Sequence, residues 1–113
     1  METKNLSEST ICCFGDSTTW GDNGCGAGGN DISWTSHLGA LLGGAVVENF
    51  GIKGSRIAIK ADRTDSFVER LDGIDDAADV YVVFGGVNDF SRNVPLGELG
   101  STDVHEFYGA LDY

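Results

Sequence analysis

The chain is 113 residues long, and its 18 acidic and 7 basic residues give a formal charge of −11. Such an acidic surface repels phosphate groups, so nucleic acids and anionic membrane surfaces are disfavoured as partners. No apolar stretch approaches the roughly 18 residues of a membrane span, and METKNLSEST lacks the features of a secretory signal, so we expect a single cytoplasmic domain.

The three cysteines do not form a metal-binding motif. Cys12 and Cys13 are adjacent and would point to opposite faces of a strand, so they cannot bind one ion together with Cys25. The acidic loop over 22–31 lacks the alternating spacing of a calcium-binding loop. We therefore predict no metal and no cofactor, with two buried cysteines and one loop thiol.

Apolar runs and helical patterns alternate along the chain after a flexible N-terminus, which we predict for residues 1–9. Three runs rich in β-branched, cysteine or aromatic residues, each followed by Gly, predict strands, and three stretches with apolar residues at helical spacing predict helices. In chain order these are a strand over 10–14, a helix over 31–42, a strand over 45–50, a helix over 64–71, a strand over 79–84 and a helix from Asp103. The predicted helix caps are Asn30 or Asp31, Thr64 or Asp65, and Asp103 with Glu106.

This order of elements predicts a parallel sheet with right-handed crossovers. The expected fold class is α/β, a three-layer α/β/α sheet of flavodoxin-like type. Sheets of this type with the strand order 2-1-3-4-5 need two strands beyond the third. The chain stops in the helix after the third strand. We therefore expect residues 1–113 to form a partial domain, truncated after the third strand, whose outer edge is open.

Each predicted strand ends in glycine and polar residues, at the sheet edge where α/β proteins bind ligands. These segments are Gly-Asp-Ser (15–17), Asn-Phe-Gly-Ile-Lys-Gly (49–54) and Gly-Gly-Val-Asn-Asp (85–89). Attack on an ester carbonyl creates an oxyanion, which preorganised N–H donors stabilise. Ser17, Gly51 and Asn88 have the required groups, although a serine after a strand also commonly caps the next helix. For Asp16 we predict a role in stabilising the turn.

FGDSTTWG, NFGIKG and GGVND resemble the first three conserved blocks of the SGNH (GDSL-type) hydrolases, in the order and spacing of that family. The resemblance runs from about Ile11 to Phe107, and it implies the SGNH hydrolase fold and a serine ester hydrolase acting on a small-molecule acyl ester. It implies that Ser17 is the catalytic nucleophile and also an oxyanion donor through its backbone. Gly51 and Asn88 are then the other catalytic donors, and no cofactor is implied.

The last block of that family, Asp-x-x-His, does not occur in this chain. Asp103-Val104-His105 has a different spacing, and we expect His105 to face solvent near a helix start. His37, within the helix predicted over 31–42, is not expected to be catalytic. A serine without an imidazole is a poor nucleophile at pH 7, so we expect this chain to be nearly inactive alone.

Two other functions fit parts of the sequence. Gly24–Gly29 contains a literal G-x-G-x-x-G, with Glu48 where the ribose-binding acid of a dinucleotide-binding protein could lie. Nine residues separate this motif from its strand, whereas the fingerprint begins directly at a strand end. The other alternative is a non-catalytic module that associates with itself through the open edge of the third strand, at Tyr81–Phe84.

Overall fold

The structure is a computed structural model that describes residues 5–113. Within the segment predicted to be flexible, Leu6–Glu8 forms a short 3₁₀ helix. The side chain of Asn5 caps it by accepting a hydrogen bond from the Ser7 N–H at 3.1 Å. Residues 1–4, which the same prediction covered, lie outside the described residues.

The described part of the chain divides into two compact units. The first unit consists of the described part of Met1–Lys53 together with Ile74–Phe84. The second unit consists of Gly54–Gly73 together with Gly85–Tyr113.

The first unit contains a three-stranded parallel sheet in the order β2-β1-β3. The strands are β1 (Thr10–Gly15), β2 (Val46–Gly51) and β3 (Val80–Phe84), and each boundary lies within one residue of its predicted position. Both neighbours of β1 run parallel to it. The predicted α/β class and the order of the first three strands of a flavodoxin-like sheet are therefore confirmed.

The core of the first unit follows the alternation of side chains along β1. Ile11 and Cys13 lie on one face and are buried with Ala45. Trp34 and Leu38 pack against this cluster, together with Leu42, Val47, Val80 and Val82. Cys12, on the opposite face, is also fully buried, so the prediction of two buried cysteines is confirmed.

The five helices of the described chain are short: α1 (Ser17–Trp20), α2 (Trp34–Leu41), α3 (Phe67–Arg70), α4 (Val87–Ser91) and α5 (Phe107–Asp112). Two further 3₁₀ helices span Asn30–Ile32 and Leu71–Gly73. The sequence periodicity predicted α2, α3 and α5 but not α1 or α4, which are too short to show a full helical period. No described helix has the length and apolar character needed to cross a bilayer.

The predicted caps of α2 and α3 were wrong. Ser33 caps α2 by accepting a hydrogen bond from the Thr35 N–H at 3.1 Å. Ser66 caps α3, and its side chain and that of Glu69 form a reciprocal capping box. In both cases a serine directly before the helix supplies the acceptor, so each helix begins three residues later than predicted.

The helix predicted from Asp103 begins only at Phe107. The Asp103 carboxylate accepts a hydrogen bond from the His105 N–H at 2.9 Å, which forms a local turn in place of a helical one. Gly109 then allows close packing, because an added Cβ there would lie 2.5 Å from the Asp103 carbonyl carbon.

Candidate active site

Ser17 is the first residue of α1, directly after the central strand β1. The cap of this helix is Asp16, whose Oδ1 accepts a hydrogen bond from the Thr18 N–H at 3.1 Å. The predicted turn-stabilising role of Asp16 is therefore confirmed, and the capping role considered for Ser17 is wrong. Gly15 is required before this turn, because an added Cβ would collide with the Thr19 side chain.

The Ser17 hydroxyl makes no hydrogen bond within the described part of the chain. Ser17 lines an open cavity of about 540 Å³. The other lining residues are Thr18, Gly21, Asp22, Gly24, Gly26, Ile32 and Trp34. The hydroxyl is thus accessible, and neither capping nor packing uses it.

Asp22 is the acidic side chain among the residues that line this cavity. The N–H of Gly24 and the ammonium of Lys53 both lower the pKa of Asp22. Lys53 Nζ is 3.2 Å from Asp22 Oδ2 and lies 4.8 Å from the centre of the Trp20 ring. The Asp22 carboxylate is therefore paired with Lys53, and this pairing favours its ionised form. Sequence reasoning missed this ion pair, since neither residue belongs to a charge pattern.

Gly51 lies beside α1 at the end of β2, paired in register with Gly15. An added Cβ at Gly51 would come within 2.7 Å of the backbone of Thr19 and Trp20, so only glycine fits. Its N–H already donates to Asn49 Oδ1 at 2.9 Å. The cavity that Gly51 lines, of about 380 Å³, is a different one from that of Ser17. Its role as oxyanion donor stays a prediction, and an oxyanion would have to displace or share that hydrogen bond.

Asn49 connects the end of β2 to α1, which sequence reasoning missed. Its Nδ2 donates to the Thr19 carbonyl at 2.7 Å and to Asn30 Oδ1 at 3.0 Å. Ser33 Oγ donates to the same Thr19 carbonyl at 2.7 Å. A polar residue among the apolar residues of β2 was the available signal. These bonds satisfy the last turn of α1 and so fix the short helix that begins with Ser17.

Asn88 is the second residue of α4, in the second unit. Its Nδ2 donates to the Ser55 carbonyl at 2.9 Å. The neighbouring Asp89 is only 2% exposed. Its two carboxylate oxygens accept hydrogen bonds from the N–H groups of Ile57 and Ala58, at 2.8 and 3.0 Å. Ser17 and Gly51 belong to the first unit, and the convergence of Asn88 with them stays a prediction.

Neither histidine is placed as a buried base. His105 is exposed, as predicted, and its Nδ1 lies 3.0 Å from Asp103 Oδ1. The N–H and the imidazole of His105 both lower the pKa of Asp103. His37 is exposed on α2. Among residues 5–113, no group of three or more His, Cys, Asp or Glu side chains is arranged to hold a metal ion.

Three N–H groups of the glycine-rich loop donate to side chains of the residues directly before it. The Gly24 N–H donates to Asp22 Oδ1 at 2.7 Å, and those of Cys25 and Ala27 donate to Asn23 Oδ1 at 2.8 and 3.2 Å. A pyrophosphate cradle needs backbone N–H groups that face the ligand. In this loop they face its own side chains, which argues against the dinucleotide-binding alternative.

Comparisons with known proteins agree with the three motifs. Residues 13–111 match the GDSL-like Lipase/Acylhydrolase family. One crystal structure is 96% identical in sequence and superimposes with a TM-score of 0.95, over 97% of this chain and 50% of its own. The crystal structure of a protein from Lactobacillus plantarum is 36% identical with a TM-score of 0.76, over 95% of this chain and 48% of its own. The structure of a possible lipase from Chitinophaga pinensis, 23% identical, shares the fold with a TM-score of 0.67 over 92% of this chain and 40% of its own.

No match was found among curated proteins. The chain spans about half the length of these first two solved structures. The parallel order of the three strands, the polar loops at their ends and the match over nearly the whole chain lead to one assignment. The chain belongs to the GDSL-like lipase/acylhydrolase family.

Proposed function

We propose that this chain carries the nucleophile and the anion-stabilising groups of a serine ester hydrolase. The observation that carries the proposal is that the Ser17 hydroxyl is accessible and makes no structural hydrogen bond. This hydroxyl is exposed to a cavity at the end of the central strand, while Asp16 performs the capping for which a serine is commonly used. A hydroxyl at such a site that makes no structural hydrogen bond is a candidate nucleophile.

In the proposed reaction, Ser17 Oγ loses its proton to solvent water and attacks the acyl carbonyl carbon of a small-molecule ester. The resulting oxyanion accepts hydrogen bonds from the Ser17 N–H and the Asn88 side-chain amide. The carbon–oxygen bond to the alcohol then breaks, and the leaving alkoxide takes a proton from solvent. In a second step water hydrolyses the acyl-serine ester, which releases the carboxylic acid and restores the Ser17 hydroxyl. Removal of one donor from such an oxyanion site typically lowers the rate by about 10²–10³-fold. The reaction requires no metal or cofactor.

The third donor is either Gly51, as predicted, or Gly54. Gly51 is the last residue of β2 and Gly54 lies in the loop after it. The Gly51 N–H is held by Asn49 at 2.9 Å. The Gly54 N–H makes no hydrogen bond within the described part of the chain. In a ¹⁵N-labelled sample, phosphonylation of Ser17 should shift the amide signal of the glycine that binds the oxygen. A large shift at Gly54 alone would remove Gly51 from the proposed site.

The proposed nucleophile has no imidazole base in this chain. Loss of the base in a serine hydrolase lowers turnover by about 10⁶-fold. We therefore expect turnover of p-nitrophenyl acetate by the chain alone to stay below about 1 s⁻¹. A faster reaction that Ser17→Ala abolishes would show that a base within these residues, with His105 as the candidate, serves the serine.

The test of the proposal is covalent labelling with a fluorophosphonate, located by mass spectrometry. Slow labelling is expected on Ser17, and Ser17→Ala should abolish it. Ser36→Ala is the matched control, because Ser36 is exposed but its hydroxyl already donates to the Ser33 carbonyl at 2.7 Å. Labelling of Ser36 at the rate of Ser17, or no labelling of Ser17, would contradict the proposal.

A second function is favoured by one observation. β3 lies at one edge of the described sheet and exposes Tyr81, Val83 and Phe84, of which Val83 is 62% accessible. An unpaired strand with exposed apolar side chains is a template for another strand. We propose self-association through this edge as the alternative activity of the chain, with or without esterase function.

A further inference from the structure

The side chain of Asn88 is held by one hydrogen bond and has a second N–H to spare. Its Nδ2 donates to the Ser55 carbonyl at 2.9 Å. A primary amide carries two N–H donors, and the other one makes no hydrogen bond within the described residues. The Ser55 carbonyl can only accept a hydrogen bond, so it selects the nitrogen of the amide rather than the oxygen as the group that faces it.

An asparagine amide has no strong torsional preference of its own, because its terminal torsion is broad and roughly two-fold. A rotated or flipped amide would present its carbonyl oxygen to an oxyanion and would repel it. Asn88 therefore depends on a fixed position of the Ser55 carbonyl relative to α4.

Asp89, the next residue on α4, bonds to the backbone that follows Ser55. This carboxylate is 2% exposed, and each oxygen accepts one backbone N–H, from Ile57 and from Ala58. Hydrogen bonds to an ionised acceptor are about twice as strong as those between neutral groups. Because Asn88 and Asp89 are consecutive on α4, the two residues together join this helix to the segment Ser55–Ala58 by three hydrogen bonds.

The same segment and the residue after it also make hydrogen bonds to other parts of the second unit. Ser55 Oγ donates to the Asp65 carbonyl at 2.6 Å and accepts from Arg70 Nη2 at 2.9 Å. Directly after the segment, the Ile59 N–H donates to the Val104 carbonyl at 2.9 Å.

We propose that Asp89 is a positioning residue for Asn88: by holding the backbone of Ile57 and Ala58 against α4, it keeps the Ser55 carbonyl where it orients the Asn88 amide. The inference rests on the proposed function of Asn88 as an oxyanion donor. It adds a residue that acts on the reaction through Asn88 and does not contact the substrate.

The first test uses the unmodified chain, labelled with ¹⁵N and ¹³C, and scalar couplings across hydrogen bonds. We expect a coupling between Asn88 Nδ2 and the Ser55 carbonyl carbon, and couplings from the Ile57 and Ala58 nitrogens to the Asp89 carboxyl carbon. Absence of the Asn88–Ser55 coupling in a folded chain would overturn the proposal. This measurement does not depend on whether Ser17 reacts or on whether any variant folds.

The second test is Asp89→Asn, which replaces one acceptor oxygen with an NH₂ group that faces a backbone N–H. The Asn88 side-chain signals should move toward those of an exposed amide, and the coupling to Ser55 should disappear. Asp112→Asn is the matched control in the same unit, because Asp112 is exposed, and it should leave these signals unchanged. Unchanged Asn88 signals in a folded Asp89→Asn chain would refute the positioning role.

The third test links position to chemistry through the rate of Ser17 phosphonylation. Asn88→Ala should lower the rate constant by about 10²–10³-fold, and Asp89→Asn by about tenfold or more, with the apparent binding constant of the probe unchanged. On the Asn88→Ala background, Asp89→Asn should have no further effect. If the two substitutions lower the rate independently, so that their effects multiply, a role of Asp89 through Asn88 is contradicted. An unreactive Ser17 in the unmodified chain would refute the proposed function, and the NMR tests would then decide the positioning role.

Discussion

The three cysteine thiols differ in burial, and we expect them to differ in reactivity for that reason. Burial raises the pKa of Cys13 to about 11 and also raises that of Cys12. At pH 8 only about one Cys13 thiol in a thousand is then ionised, and the thiolate is the nucleophile. Cys25 is exposed in the loop after α1. Iodoacetamide should therefore alkylate the native chain at Cys25 alone, as located by mass spectrometry.

Cys25→Ser provides the control for this experiment. The variant should take up no label until denaturant is added, when both buried thiols should react. Alkylation of Cys12 or Cys13 in the native chain at the rate of Cys25 would contradict the packing of β1.

Glu48 and Asp75 form a carboxyl pair in the first unit. Glu48 Oε1 is buried and has no hydrogen-bond partner among the described residues. The Asp75 side chain, followed by burial, raises the pKa of Glu48, and Glu48 lowers the pKa of Asp75. Cys12 and Tyr81, which pair with each other across the sheet, are the other titratable groups nearby. From these two directions we expect the two carboxyls to titrate as a pair and to share one proton.

The directions of the two pKa shifts determine how the stability of the folded chain changes with pH. The contribution of Glu48 to stability is complete below its unfolded pKa of about 4.3 and is lost as pH rises through its raised folded pKa. The contribution of Asp75 is complete above its unfolded pKa of about 3.9 and is lost as pH falls through its lowered folded pKa.

Glu48→Gln should therefore stabilise the chain at neutral pH, because the glutamine amide donates to Asp75 at every pH. The gain should shrink as pH falls toward about 4, where Glu48 itself carries the proton. The measurement is the urea midpoint of unfolding as a function of pH, and Glu8→Gln at an exposed position is the control. A gain that does not change with pH would argue against a shared proton.

At the scale of elements, helix propensity and the room available for a side chain have opposite effects at Gly39 in α2. Alanine is better than glycine inside a helix by about 1 kcal/mol. At Gly39, however, an added Cβ would lie 2.6 Å from the Ala45 carbonyl oxygen, closer than side chains normally approach. Overpacking costs about 1–3 kcal/mol, so Gly39→Ala should destabilise the chain in a urea titration.

Gly73→Ala is the matched substitution, because nothing lies within 4 Å of the added Cβ. It should change the free energy of unfolding by no more than about 0.5 kcal/mol. A stabilising Gly39→Ala would mean that α2 and the start of β2 pack less closely than the structure describes.

The elements also differ in how well local sequence predicts them. The strands were located within one residue because a run rich in β-branched, cysteine or aromatic residues meets a glycine at the end of each of them. The start of α2 was not located correctly. Asn30 Oδ1 accepts hydrogen bonds from the Thr35 hydroxyl and the Asn49 amide instead of capping the helix. The local sequence pattern cannot show that the side chain of a candidate cap bonds to a residue 19 positions away.

At the scale of the whole molecule, the open edge of β3 should make the chain self-associate. Val83→Lys places a charge on this edge, which is how natural edge strands avoid pairing. Sedimentation velocity should show concentration-dependent association of the unmodified chain and a monomer for the variant. Leu41→Lys, at an exposed apolar position on α2, controls for general loss of hydrophobic surface. If both substitutions make the chain monomeric to the same extent, the edge of β3 is not the interface.

Local composition and motif spacing were sufficient for the class of fold, the family and the position of Ser17 after a strand, because each depends on residues close together in the chain. Which N–H groups remain available was decided by tertiary contacts. Asn49 occupies the Gly51 N–H while bonding α1, and Ser55, which is 33 positions before Asn88, takes one of its two amide protons. A hydrogen-bond donor can be used only once at full strength, so its availability depends on every acceptor that folding brings within about 3 Å. Ser55 is such an acceptor and is distant from Asn88 in sequence, whereas Asn49 is only two positions before Gly51 and is itself bonded to Thr19, 30 positions away.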